Sequence, residues 1–339
     1  MNERYSRQVL FHGIGAAGQV RLRESRVTLI GMGALGSAHA ETLARAGVGT
    51  LRLIDRDFVE ASNLQRQTLY SESDAQNRLP KSVAAAKRIG EINSEIKVVP
   101  IVDDVNGSNI ESLIAESDLV LDGSDNFLVR YTLNDACVKS KTIWIYGAAV
   151  SGYGATMTVR PGETPCLSCV FDEMPEAGSG PTCDTAGVIQ PIIQSISSIQ
   201  TTEALKILSG HEDKLHGGLI QVDLWENQWK KISLGDPDPD CRCCGKSDFE
   251  FLRPESRDSV TTMCGRDSVQ VRPARQEGFD LESLTQRLAG LGELKSNEYL
   301  VRFNADGFEV TVFADGRAII KGTDDPSTAK SVYSKYIGT

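Results

Sequence analysis

The chain has 339 residues, 46 of them acidic against 36 basic, and a formal net charge of −10. That balance excludes a general nucleic-acid-binding surface and favours a small-molecule or protein substrate. The length suits one large α/β domain with a smaller appendage, and no apolar run approaches the ~20 residues of a membrane span, so a cytoplasmic protein is expected.

In chain order, the first predicted strand, 26–30, runs into the turn GMGALG, Gly31 to Gly36, and a helix over 35–46. A second strand, 50–55, ends on Asp55, 19 residues beyond Gly36. Gly31 permits the tight turn, Gly33 lets backbone N–H groups approach a phosphate, and Gly36 lets the helix lie close to the strand. The helix start then faces an anion, and Asp55 is placed to accept hydrogen bonds from ribose hydroxyls. A mononucleotide or dinucleotide site is predicted; the alternative is a plain tight turn.

A helix over 81–92, strands at 97–101, 117–121 and 142–146, and a helix over 127–139 continue the alternation. They predict an α/β, Rossmann-like, doubly wound sheet, mostly parallel over the first 150 residues or so. An alternating run at 153–160, a long helix over 188–208 and strands at 218–224 and 228–234 add antiparallel members, so the sheet is expected to be mixed. GDPDPD at 235–240 ends regular structure, and a cysteine cluster closes the first domain, 1–250. A polar connector at about 250–268 precedes a small α+β module, 265–339. Its predicted parts are a helix over 281–288, a three-stranded meander over 298–321 on the Asp-Gly turns at Asp306 and Asp315, and a helix over 326–336.

Two CxxC pairs, Cys166 with Cys169 and Cys241 with Cys244, offer four thiolates, the donor set of a closed structural Zn²⁺ site. Cys243 is an alternative ligand, and a redox pair or unrelated buried thiols are the other reading. In the run Asn63-Leu64-Gln65-Arg66-Gln67, Arg66 is a candidate phosphate cation, and Lys81, after Pro80, is another. Each alone reads as an ordinary surface charge, yet both follow the second strand at the carboxyl edge, where ligands bind. Asp122-Gly123-Ser124-Asp125-Asn126 ends a further strand at that edge, and Asp125 either holds Mg²⁺ against phosphates or belongs to the next helix cap.

The ordered set RYSRQ at Arg4 to Gln8, GMGALG, DRDFVEASNLQRQ from Asp55 to Gln67, Pro80-Lys81, DGSDN at Asp122, both CxxC pairs and TCDTAG from Thr182 to Gly187 resembles one family over roughly residues 3–246. It is similar to the ThiF and MoeB adenylyltransferases, bacterial relatives of ubiquitin-activating enzymes. The resemblance implies ATP-dependent adenylation of the C-terminal Gly-Gly carboxylate of a ubiquitin-like sulfur carrier protein, ThiS-like first and MoaD-like second. Thiocarboxylate formation for thiamine or molybdopterin synthesis would follow. It implies Asp55 on the ribose, Arg66 and Lys81 on the phosphates and Asp125 on Mg²⁺. Asn63 and Gln67 line the same pocket, with Ala34, Asp57 and Asn126 from the same motifs.

Arg7 matches an arginine that reaches into a neighbouring protomer's site, which implies a homodimer. Cys183 matches a cysteine on the crossover loop, either a covalent link to the activated carrier or a bystander. Nothing after Cys244 resembles a rhodanese loop, so an external sulfur donor is expected. The module at 265–339 either recruits carrier or donor, or serves stability and dimer packing. No general base is needed, because a carboxylate nucleophile is already ionised at neutral pH. Three other readings stand beside this one: an NAD-dependent Rossmann oxidoreductase, a tRNA-modifying dehydratase of the same superfamily, and a non-catalytic scaffold subunit. NLQRQ, Lys81 and the DGSDN run point to triphosphate chemistry over NAD. Both CxxC pairs and the acidic charge speak against the dehydratase, and the intact set Arg7, Arg66, Lys81 and Asp125 speaks against the scaffold.

Overall fold

The computed structural model describes residues 3–175, 183–253, 260–263, 267–272, 279–291 and 294–338. The chain divides into two compact units, residues 1–176 with 186–253, and residues 177–185 with 254–339.

In chain order the elements up to residue 253 are helices α1 (Ser6–Leu10) and α2 (Gly15–Glu24), strand β1 (Arg26–Ile30), α3 (Ala34–Ala46), β2 (Thr50–Ile54), α4 (Glu72–Gln76), α5 (Lys81–Ile92) and β3 (Lys97–Ile101). Then come α6 (Ile110–Ile114), β4 (Leu119–Asp122), α7 (Phe127–Ser140), β5 (Trp144–Val150), β6 (Tyr153–Val159), α8 (Leu167–Val170), α9 (Cys183–Ala186), α10 (Gln190–Ser209), β7 (Leu219–Asp223) and β8 (Gln228–Ile232). The eight strands form one sheet in the order β3-β2-β1-β4-β5-β6-β7-β8. Pairing is parallel from β3 through β5 and antiparallel from β5 through β8, so the sheet is mixed as expected.

Strands β1, β2 and β4 are runs of Val, Leu and Ile because helices cover both of their faces. One core cluster gathers Leu29, Leu51 and Leu53 with Leu43 of α3, Ala85 of α5 and Ala204 of α10. The other gathers Ile30, Val120 and Trp144 with Ile114 of α6 and Tyr131 and Leu133 of α7. The central neighbours β1 and β4 find their next partners on opposite sides, and that reversal opens a crevice at their carboxyl ends. Helices α1 and α2 escape the sequence pattern: α1 buries none of its side chains and α2 buries only Gly18 and Leu22, so neither shows an apolar stripe.

In the second unit, β9 (Val260–Met263), β10 (Ser268–Val271), α11 (Leu281–Leu288), β11 (Leu294–Ser296), β12 (Leu300–Ala305), β13 (Phe308–Phe313), β14 (Ala318–Lys321) and α12 (Pro326–Tyr336) follow in turn. The sheet is antiparallel with order β11-β12-β13-β14-β10-β9. Its core joins Val269, Val301, Phe303, Val310, Val312 and Ile320 to Leu284 and Leu288 of α11 and Val332 and Tyr333 of α12. The meander and both helices stand where the pattern places them. Strand β9 falls inside the stretch read as a polar connector, and β10 and β11 were not anticipated: at 3 or 4 residues each they are too short to show alternation. Among the described residues no helix is long and apolar enough to cross a membrane.

Candidate active site

The turn after β1 is built by three glycines in mutual contact. Gly31 sits at φ +84°, and a Cβ there would stand 2.9 Å from the Gly123 carbonyl carbon. A Cβ on Gly36 would overlap the Gly31 carbonyl oxygen, and one on Gly123 would come within 2.7 Å of that same oxygen. The loops after β1 and β4 and the start of α3 are therefore stacked as closely as backbone allows. Gly33 is the N-cap of α3 and provides no side-chain cap for the first N–H groups of this 13-residue helix. A Cβ on Gly33 would have Gln67 Nε2 and the Gly123 oxygen as its nearest neighbours, both 3.9 Å away. The positive end of the α3 dipole thus opens on uncrowded space.

Asp55, half-buried at the end of β2, accepts the Met32 N–H on one oxygen and the Asp57 N–H on the other, both at 2.6 Å. Burial pushes its carboxyl up, and Lys81 pulls in the other direction. The loop after Asp55 is pinned to the start of α5 by the Val59 N–H to Leu79 oxygen bond, 2.9 Å, and the Lys81 N–H to Asp57 oxygen bond, 2.9 Å. That pinning brings Lys81, only 4 % exposed, to within 3.3 Å of the Asp57 carboxylate through its Nζ. The turn Asn63–Gln67 packs beside the glycine loop. Asn63, buried, accepts the Glu60 N–H through Oδ1 at 2.9 Å and closes a capping box. Buried Gln67 has an Oε1 with no hydrogen-bond partner, an acceptor available to a ligand. Arg66, half-buried on the same turn, donates from Nη1 to the Ser62 oxygen at 2.9 Å. Tyr70 supports the loop from below, its hydroxyl donating to the Met32 oxygen at 2.6 Å.

At the end of β4, Asn126 is the cap of α7, its Oδ1 accepting the Leu128 and Val129 N–H groups at 2.8 and 3.4 Å. Asp125 stays exposed, within electrostatic range of Arg56 and Arg130, so the cap falls to its neighbour. Ala34 is the first residue of α3, and Asp57 faces Lys81. Asp55, Asp57, Asn63, Gln67 and Lys81 are thereby gathered with Gly31, Gly33, Ala34 and Gly36, while Asp125 and Asn126 stand on the adjoining loop.

Three groups at this edge escaped sequence reasoning. Arg56 donates to Asp104 at 3.0 Å and lies 3.9 Å from Asp57, bridging the ends of β2 and β3. Arg130 and Asp122 form a buried pair at 3.1 Å, with Arg130 also donating to the Ser124 and Gly147 oxygens at 2.7 and 3.1 Å and so shaping the Asp125 loop. His39 of α3 and Gln200 of α10 meet at 2.9 Å, and Gln200 Nε2 donates to the Asp122 oxygen at 3.2 Å. Burial lowers His39 to about 4, which keeps it neutral. None carries a motif spacing, because the partners of Gln200 are distant in sequence.

The four cysteines of the CxxC pairs converge, with all sulfurs within 4.8 Å of one another. Cys243 is not one of the four: its sulfur accepts from Asn134 Nδ2 at 3.2 Å and lies against Cys166. Arg7 is exposed on α1. Its neighbour Gln8 donates to the Ala46 oxygen at 2.8 Å, at the end of α3 opposite Gly33. Cys183 begins α9, but its side chain lies outside the described residues.

The model described as the ThiF family matches residues 5–243. Sulfur carrier protein ThiS adenylyltransferase of Bacillus subtilis is 45% identical over 340 residues, covering 100% of both chains. Molybdopterin-synthase adenylyltransferase of Escherichia coli is 39% identical over 245 residues, 72% of this chain and 96% of that one. Among solved structures, E. coli MccB with ATP is similar with a TM-score of 0.63 at 25% identity, over 72% of this chain and 75% of that one.

Proposed function

We propose a function from one premise: this chain belongs to the ThiF family. It adenylates the C-terminal Gly-Gly carboxylate of a ubiquitin-like sulfur carrier protein with ATP, preparing the carrier to become a thiocarboxylate. The observation that carries this reading is one sheet edge where the start of α3 lacks a side-chain cap, Lys81 is held on Asp57 beside Asp55, and Gln67 Oε1 lacks a partner.

In this reading the phosphates lie on the start of α3, with Lys81 and Arg66 as their cations. Asp55 has lone pairs left for the ribose, Gln67 Oε1 takes a nucleoside donor, and Asn63 shapes that wall. Exposed Asp125 would hold Mg²⁺, which would supply positive charge against the phosphates. The carrier carboxylate attacks the α-phosphorus. A new O–P bond forms as the bond to the bridging oxygen breaks, and that electron pair leaves with pyrophosphate. The protein moves no proton; it holds two repelling anions in line and stabilises the charge.

Arg7 of the same chain stands a whole helix away from Gly33, since 13 residues of α3 span about 20 Å. That separation supports a homodimer in which Arg7 serves the neighbouring site. The cysteine cluster suits Zn²⁺: thiolates about 2.3 Å from a tetrahedral zinc stand about 3.8 Å apart, and the sulfur pairs 166–169, 166–241 and 169–244 lie 3.9, 3.7 and 3.3 Å apart. With every position filled by protein, the ion is structural.

A ThiS-like carrier is favoured because the ThiS adenylyltransferase relative aligns through both units of the chain. The second unit recruits the carrier or an external sulfur donor, the Cys183 thiolate displaces AMP from the activated carrier to form a thioester, and the enzyme works in the cytoplasm. Carrier-dependent ATP–pyrophosphate exchange tests the whole reading, with a thiazole-pathway carrier and a molybdopterin-pathway carrier side by side. Exchange with the first is expected; background exchange with both overturns it. Cys183→Ser with undiminished carrier thiocarboxylation removes the covalent step alone.

A further inference from the structure

Helix α7 carries one polar stripe through an apolar cluster. Asn126, Arg130 and Asn134 are spaced four residues apart and so share a face. Around them Tyr131, Leu133, Ala136 and Cys137 are buried. At the upper end, Asn126 caps the helix and Arg130 grips Asp122 and the Ser124 oxygen, fixing the loop that carries Asp125. At the lower end, Asn134 is fully buried and touches both cysteine knuckles. Its Oδ1 accepts the Leu167 N–H at 2.9 Å, between the ligand positions 166 and 169. Its Nδ2 donates to Ser168 Oγ at 3.4 Å and to Cys243 Sγ at 3.2 Å, next to Cys244. The adjacent Asp135 accepts both Arg242 Nη groups at 3.1 Å and the Phe251 N–H at 3.1 Å, clamping the second knuckle to the same helix.

We propose that Asn134 is a positioning residue for the metal-binding cysteines and that the Asn126–Arg130–Asn134 stripe makes metal binding and nucleotide binding mutually reinforcing. The two ends lie about 12 Å apart on one rigid rod. Knuckles that lose their ion lose the anchor of α7, and the Asp122–Asn126 loop loses its register against β1. The inference rests on the nucleotide reading of that loop. Linkage then requires Mg·ATP to tighten zinc binding by the same factor by which zinc tightens Mg·ATP binding at equilibrium.

The test measures zinc affinity by equilibrium competition with a zinc-selective chelator, with and without saturating Mg·ATP, while equilibrium dialysis reports Mg·ATP binding. In the unaltered protein Mg·ATP is expected to tighten zinc binding about fivefold or more. Asn134→Leu is expected to weaken zinc binding about 10-fold or more without nucleotide and to shrink the Mg·ATP protection to less than about twofold while still binding Mg·ATP. Equal protection in Asn134→Leu and the unaltered protein would point to global stabilisation and overturn the inference, as would bound Mg·ATP that leaves zinc affinity unchanged. If Asn134→Leu does not fold, Arg242→Lys, which breaks the paired bonds to Asp135, replaces it with the same expected loss of protection. Zinc-loaded protein that binds no Mg·ATP overturns the adenylation reading itself, an outcome distinct from either of these.

Discussion

Two helices begin side by side at the carboxyl edge of the sheet, α3 after β1 and α7 after β4, and their beginnings differ. The start of α7 is filled by its own Asn126, which accepts two N–H groups. The start of α3 has only Gly33, with no side chain to offer. One beginning is complete within the protein, and the other leaves its donors and its dipole for something else. Neighbouring polar groups repeat the contrast: Arg130 and Asp122 satisfy one another, whereas Gln67 keeps an oxygen without a partner. At this edge the completed pair holds its loop in place, and the unpartnered oxygen is left for a ligand.

The contrast breaks most severely with Gly36→Ala. The added carbon collides with the Gly31 oxygen, so α3 must leave the strand. A loss above about 4 kcal/mol is expected in urea unfolding, and a normal unfolding midpoint would contradict the close stacking. The sharpest variant is Gly33→Asp, which gives α3 the self-made cap that α7 has. The position has room, with the nearest atoms 3.9 Å from the new carbon. Mg·ATP affinity is expected to fall about 100-fold or more while stability holds or rises by about 0.3 kcal/mol; unchanged affinity would place the phosphates elsewhere.

The two beginnings are tied by His39 on α3 through Gln200 to the Asp122 oxygen. His39 is neutral in the fold down to about pH 4, whereas the unfolded chain takes up that proton near 6.5. Below about 6.5 the unfolded state therefore binds more protons, and stability falls as pH drops towards 4. The contribution is on the order of 3 kcal/mol. His39→Asn should flatten that stretch of the stability curve, and a slope equal to the unaltered protein's would show that His39 is already protonated. The smallest effect belongs to Asn126→Ala, which costs about 1 kcal/mol by uncovering the start of α7. A cost near zero would show that the cap matters less than the packing of α7.

The open beginning was legible in the sequence because glycine spacing answers to backbone sterics, which act within a few residues. The same holds for Asp55 and Lys81, whose places follow from the ends of β2 and the start of α5. The four converging cysteines were legible as pairs, but only geometry separates Cys244 from Cys243, which accepts from Asn134. Arg130 and Gln200 were not legible: each looks ordinary alone and acquires meaning from partners on other elements. Strands β9 to β11 were missed since 3 or 4 residues cannot display a period.

The stacking of Gly31, Gly36 and Gly123 also bears on how such a chain can change over time. Any single replacement among them meets the backbone of one of the others, so no stepwise route of tolerated intermediates leads away from the trio. Descendants of this sequence can vary freely around that knot, but they inherit it whole or rebuild the entire crossing at once.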